Sequence, residues 1–213
     1  MISFVYFDVD RVLTFGFDWG MLESDIGIPD GKQGEFMHFW NEHDYELNTG
    51  KDIDALIPEI ESLFGAKFPN GYSFLNDGFV ARFSANKTLW PIVENLRKSL
   101  PIGLLTNMYP HMLDAIGKRG LLPDVPWDAV IDSSVEGMQK PDYRIFELAE
   151  RRSRARSDEI LFIDNYIDNV NAASEFGWKT FLYDPENANE STNRLMRYLS
   201  EDACLPPQPL RFS

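Results

Sequence analysis

Apolar positions recur along this chain with two periods that take turns. Short apolar runs at 4–7, 102–105, 129–131, 160–163 and 180–183 are each bounded by polar or turn residues. Such runs read as strands buried on both faces. Between the later runs, apolar residues fall at spacings near 3.6 and predict helices near 88–98, 111–118, 143–152, 168–176 and 193–199. Strands alternating with helices imply an α/β fold with a doubly wound parallel sheet.

One interval breaks this rhythm. A parallel crossover needs about a dozen residues, yet the chain runs from Leu13 to Pro101 before the second strand closes. The surplus is helical in pattern. Phe36, Met37, Phe39, Trp40 and Leu47 form one stripe, and Ile53, Leu56, Ile57, Ile60, Leu63 and Phe64 form another, with Pro58 expected to kink or split it. A third helix is expected over 71–83, with Tyr72, Leu75, Phe79, Val80 and Phe83 on one face. We therefore expect a helical cap subdomain over 15–85, inserted into an α/β core made of 1–14 and 86–204. A Pro-rich tail over 205–213 follows.

Composition narrows the function. The 213 residues are 44% hydrophobic and 14% aromatic, enough to form a core, and carry a formal net charge of -14. That charge argues against nucleic acid and anionic membrane surfaces as partners. No apolar run is long enough to span a bilayer, and no signal-peptide pattern opens the chain, so a cytoplasmic protein is expected, monomer or homodimer. The single cysteine, Cys204, permits no internal disulfide and reads as a bystander.

The first strand ends in Asp8-Val9-Asp10. Side chains alternate along a strand, so both carboxylates leave its end on the same side, where ligands sit in open α/β sheets. A second copy, Asp52-Ile53-Asp54, opens a helical pattern and reads instead as a first-turn charge pair. Three further segments can join the first pair: Thr106-Asn107 at the end of the second strand, Lys140-Pro141-Asp142 before a helix, and Asp164-Asn165 with Asp168 four residues on.

With these four motifs in this order, the chain resembles the haloacid dehalogenase superfamily of hydrolases with a small helical cap, and most of all its sugar-phosphate phosphatases. The resemblance implies a magnesium-dependent phosphatase acting on a small phosphorylated metabolite. In that reading Asp8 is the nucleophile that becomes a phosphoaspartate, and Asp10 is the acid and base. Asp8, Asp164 and the Asp10 carbonyl hold Mg2+, and Asp168 acts through bound water. Thr106 and the Asn107 N–H hold a phosphoryl oxygen, and Lys140 offsets charge on Asp8 and the transferring group. The residue types support this: four converging carboxylates beside one lysine require a hard cation. That cation and Lys140 make an acidic protein locally attractive to phosphate.

Two positions depart from the family's common pattern. Arg11 stands where glycine is usual and is expected to point outward, and Asn165 stands where a second aspartate is frequent. His38, His43 and His111 are read as packing or surface residues. Phe15, Phe17 and Trp19, between nucleophile and cap, are candidates for substrate contact. A haloacid dehalogenase is the nearest rival, but the superfamily's dehalogenases lack the second aspartate. A phosphomutase and a catalytically silent phosphate-binding protein are further alternatives. A phosphoaspartate receiver domain would be far shorter.

Overall fold

A computed structural model describes residues 1–16 and 19–201; Phe17, Cys204 and the 205–213 tail lie outside the described residues. Strand β1 (Phe4–Phe7) occupies the centre of a parallel five-stranded sheet, flanked by β4 (Ile102–Thr106) and β5 (Ala129–Asp132) on one side and β6 (Ile160–Asp164) and β7 (Lys179–Leu182) on the other. Val5 lies opposite both Ile102 and Leu161, so the strands end nearly level, and Asp8, Thr106 and Asp164 come to one edge of the sheet.

Alternate residues of β1 serve two cores, which is why its run is apolar throughout. Phe4 and Tyr6 pack with Ile145, Phe146 and Ala149 of α7 (Tyr143–Ser153) and with Trp178. Val5 and Phe7 join the larger core that includes α4 (Trp90–Ser99), α5 (Met112–Lys118) and α9 (Ala188–Glu201). Full burial of side chains of this size contributes roughly 1.5–3 kcal/mol each. Gly103 is required by this packing: a Cβ there would meet the Tyr6 ring and the Ala129 carbonyl oxygen, both at 2.7 Å.

The surplus interval is a helical insertion. Its two ends lie side by side, because β2 (Thr14–Phe15) pairs antiparallel with β3 (Ser84–Ala85). Between them lie α1 (Trp19–Asp25), α2 (Gln33–Asn48) and α3 (Ile57–Phe64). Rings hold the insertion together: Trp40 stacks on Phe74 at 5.4 Å, and Phe79 meets Tyr109 edge-on at 5.5 Å. Tyr109 follows β4, so the second contact joins insertion to sheet.

One expectation is met in the insertion and another changes. The stripe over 53–64 is split, as Pro58 implied: a 3-10 turn at Ile53–Leu56 precedes α3, and Pro58 sits in the first turn of α3, where its missing N–H costs nothing. The helix expected over 71–83 is a π turn at Phe74–Phe79 followed by a 3-10 turn at Val80–Arg82. Side chains compete with the α ladder there: Ser73 Oγ accepts from Asn76 N–H, and Asp77 accepts from Ser73 N–H. Asp52 caps its turn by accepting from Asp54 N–H, as its first-turn reading implied. No described helix is long and apolar enough to cross a membrane.

The two remaining helices frame the site. Short α6 (Ser133–Glu136) follows β5, and α8 (Ile167–Glu175) follows β6.

Candidate active site

The chain leaves β1 in a tight loop closed on one atom. The Val9 carbonyl accepts from Leu13 and Thr14 N–H and from the Thr14 hydroxyl. Buried Asn86 donates to the Val12 carbonyl at 2.7 Å and to Tyr183 Oη at 2.8 Å, tying the loop to the end of β7. To turn so sharply, Arg11 takes the left-handed conformation, φ 59°, which explains why glycine suits this position. Its guanidinium pairs with Glu186, and Arg11 is also among the residues lining the cavity below. The outward direction expected for Arg11 is thus part of its placement, and it also borders the site.

Lys140 organises the base of the site. Its ammonium is buried, 2.6 Å from Asp164 Oδ2 and 3.0 Å from Asp8 Oδ1. Burial works against that charge, yet Asp164 and Asp8 outweigh it and hold the Lys140 pKa above its ordinary value. The backbone of Lys140, which precedes a cis proline, is clamped by one side chain: Asn107 accepts from Lys140 N–H and donates to its carbonyl, both at 2.9 Å. The Asn107 amide is therefore spent on positioning.

Asp164 is fully engaged. Oδ2 accepts from Lys140 and, at 3.1 Å, from Asn169, and Oδ1 accepts from Tyr166 N–H at 2.7 Å. Asp168 points elsewhere. It is exposed on α8, whereas Asn169, one residue on, lines the cavity. The expected convergence of four carboxylates does not occur: among the described residues no three acidic, histidine or cysteine side chains gather as a metal site. The reason is geometric. Asp164 turns inward to neutralise a buried lysine, and one residue of helical rotation carries Asp168 away from Asn169's face.

Asp8 and Asp10 remain at the floor of a cavity of about 490 Å³, also lined by Arg11, Trp19, Tyr109 and Asn165. Burial pushes the Asp8 carboxyl up to about 7, against the lowering charge of Lys140. Burial likewise raises Asp10 to about 6, against Arg11. Asp10 Oδ1 is a buried acceptor with no hydrogen-bond partner among the described residues. The Thr106 hydroxyl is also buried and makes no hydrogen bond of ordinary geometry, yet it lies close enough to Asp8 to favour the ionised carboxyl. The Asp8 carboxylate, the Asp10 backbone carbonyl and the Asn165 amide offer oxygen donors from this floor. This set fits a hard divalent cation that keeps much of its water.

Other sequence candidates separate clearly. Trp19 lines the cavity and Phe15 does not. His38 is exposed beside Glu42, His43 bonds the Phe39 carbonyl, and exposed His111 precedes α5 in a left-handed conformation. Sequence reasoning missed Asp44 and Asn48, which reach the cavity from α2, and Tyr109 after β4. Their four-residue spacing on one helix face was the only signal for the α2 pair.

Fold and site together define a doubly wound α/β core with an inserted helical segment and a carboxylate cluster at its strand ends. The profile of haloacid dehalogenase-like hydrolases matches residues 31–177, and the chain belongs to that family. A HAD-like family hydrolase of Porphyromonas gingivalis is 27% identical, with a TM-score of 0.68 over 92% of this chain and 98% of that one. A HAD family enzyme of Bacteroides thetaiotaomicron, solved as a magnesium complex, is 18% identical and shares the fold, with a TM-score of 0.72 over 92% and 98%. Mouse acyl-CoA dehydrogenase family member 10 is 33% identical over 103 residues, 47% of this chain and 9% of that protein. The chain spans about a third or less of the length of the curated relatives it matches.

Proposed function

We propose that this hydrolase is a magnesium-dependent phosphatase acting on a small phosphorylated metabolite. The observation that carries the reading is Asp10: a half-buried carboxyl with one buried, orphaned oxygen, raised to about 6, two residues from the lysine-paired Asp8. An acid that is partly protonated near neutrality suits departure of an alkoxide from phosphorus. A carbon–halogen bond needs no such proton, so Asp10 disfavours the dehalogenase reading.

In the proposed reaction an Asp8 oxygen attacks phosphorus, the phosphorus–ester oxygen bond breaks, and Asp10 gives its proton to the departing oxygen. Asp10, now ionised, takes a proton from the water that attacks the phosphoaspartate, which releases phosphate and regenerates Asp8. Lys140 holds Asp8 in position, and Asn107 fixes Lys140. The Thr106 hydroxyl stands beside Asp8, suited to hold a phosphoryl oxygen. Asp8, the Asp10 backbone carbonyl and Asn165 would hold the magnesium ion, which, when bound, supplies positive charge that favours ionised Asp8 and draws phosphate into an acidic protein.

The test is release of phosphate from phenyl phosphate, with and without magnesium, beside release of chloride from 2-chloropropionate. Magnesium-dependent phosphate release that Asp8→Asn abolishes is expected. Chloride release with no turnover of any phosphate ester would overturn the reading.

A further inference from the structure

One buried amide outside the four motifs joins the segments that frame the loop after β1. Asn86 follows β3, the strand by which the insertion returns to the core, and has no exposed surface. Its backbone N–H donates to the Leu13 carbonyl at 2.9 Å, and its own carbonyl accepts from Leu89 N–H at 3.2 Å just before α4. The side-chain nitrogen donates to both Val12 and Tyr183, and Oδ1 accepts from the Thr88 hydroxyl at 2.6 Å. Every polar atom of the residue is thus in use. The Thr88 bond also fixes which end of the amide faces Val12, because a donating hydroxyl must meet the oxygen.

The partners of Asn86 lead to both sides of the site. Tyr183, on leaving β7, donates its backbone N–H to the Asp164 carbonyl at 2.9 Å, and its hydroxyl meets Thr192 Oγ1 of α9 at 2.9 Å. Val12 and Leu13 belong to the loop that carries Asp10. Thr14 opens the stalk of the insertion and pairs with Ala85, the residue before Asn86. Two residues further along this stalk, the place a Gly16 Cβ would take lies 2.9 Å from Asp10 Oδ1 and 3.4 Å from Arg11 Cγ. The stalk therefore walls the Asp10 carboxyl. Asn86 holds the stalk by its main chain and the loop by its side chain, so one residue sets the gap between them. Aspartate has the same shape but no donor, and would set a carboxylate against the Val12 carbonyl.

We infer that Asn86 is a positioning residue for Asp10: it registers the base of the insertion against the loop after β1, and through that register it sets the pose of the Asp10 carboxyl. The consequence for proton transfer rests on the phosphatase reading, whereas the grip on the loop is a statement about structure.

The experiment measures kcat and KM for an alkyl ester, hexose 6-phosphate, and an aryl ester, phenyl phosphate, in the wild type, Asn86→Ala, Asp10→Asn and the double variant. Misplacing a reacting group by about 1 Å costs about 10²-fold, so Asn86→Ala should lower kcat toward the alkyl ester by about 30–100-fold and leave KM within about twofold. Toward phenyl phosphate, whose leaving group needs a proton less, the loss should be under about fivefold. In the Asp10→Asn background the same change should cost under about threefold, since no acid is left to misplace. Equal losses with the two esters, a loss that adds in full to that of Asp10→Asn, or an unmoved kcat would overturn the inference. Hydrogen exchange gives a readout apart from activity. Faster exchange in Asn86→Ala confined to 9–16, with β4 and β6 as protected as in the wild type, supports the grip on the loop even if no ester is hydrolysed, an outcome that would sink the phosphatase reading alone. Unaltered exchange over 9–16, or acceleration throughout the sheet, counts against the positioning role. If Asn86→Ala does not fold, Thr88→Ala is read in the same way: it keeps both amide donors and removes the bond that orients them, with an expected loss of about 3–10-fold toward the alkyl ester.

Discussion

The Lys140 ammonium lies 2.6 Å from Asp164 Oδ2, both side chains essentially without exposure, and this pair is the electrostatic base of the site. Removing one partner of a buried ion pair strands the other, which typically costs about 3–5 kcal/mol. Asp164→Ala should accordingly destabilise the fold by about 3 kcal/mol, the second contact of Lys140 with Asp8 limiting the loss. Urea unfolding measures it. A change below about 1 kcal/mol would show that Asp8 alone suffices to hold the lysine.

Asp10 gives a pH dependence with a definite sign. Its folded pKa of about 6 stands above the ordinary 3.8, because burial penalises the charged form. The stability Asp10 contributes is therefore fully present below about pH 3.8 and is lost as pH rises through about 6. In chelator, Asp10→Asn removes a charge that the fold disfavours. The variant should be more stable than wild type by roughly 2–3 kcal/mol at pH 8, and the gain should vanish toward pH 4. Equal stability of the two proteins at pH 8 would show that Asp10 is not held against its charge.

Asn165 tests the metal floor from the other direction. A neutral amide lines the cavity where a carboxylate would add charge to the cation's ligands. Asn165→Asp should tighten magnesium binding about tenfold, read by calorimetry and by the magnesium concentration that gives half-maximal turnover. Unaltered affinity in Asn165→Asp and also in Asn165→Ala would place the ion away from this residue.

Gly16 sets the space around the proposed acid. A Cβ at this position would lie 2.9 Å from Asp10 Oδ1, too close to stand without movement of the carboxyl. Gly16→Ala should lower kcat at least tenfold toward hexose phosphates, since small misplacements of a reacting group are costly. The loss should be smaller toward phenyl phosphate, whose leaving group needs a proton less. A uniform loss with both substrates would point to a disturbed loop rather than a displaced Asp10.

Much of this protein is legible in its sequence. The all-apolar runs at 4–7, 102–105 and 160–163 announce strands buried on both faces, and β1, β4 and β6 lie side by side at the sheet centre. The pattern of Asp8-Val9-Asp10, Thr106-Asn107, Lys140 and Asp164 also identifies the family, because each motif falls where a strand ends or a loop crosses the edge. Local chemistry of that kind depends on a few neighbouring residues and survives in one dimension.

What the sequence could not fix is which polar atoms are already satisfied. Asp164 and Asp168 look equivalent as letters, yet one is consumed by Lys140, Asn169 and the Tyr166 N–H while the other faces solvent. The helix pattern over 71–83 gave way to tighter and wider turns because Ser73 and Asp77 bond locally. Asp44 and Tyr109 are 65 positions apart in the chain, and only the seating of the insertion on the strand ends brings them to one cavity. The sequence alone determined the sheet, the insertion and the order of the motifs, since these follow from periodicity. The assignment of each carboxyl to structure or chemistry was decided by tertiary structure, because burial and hydrogen-bond partners exist only once distant segments meet.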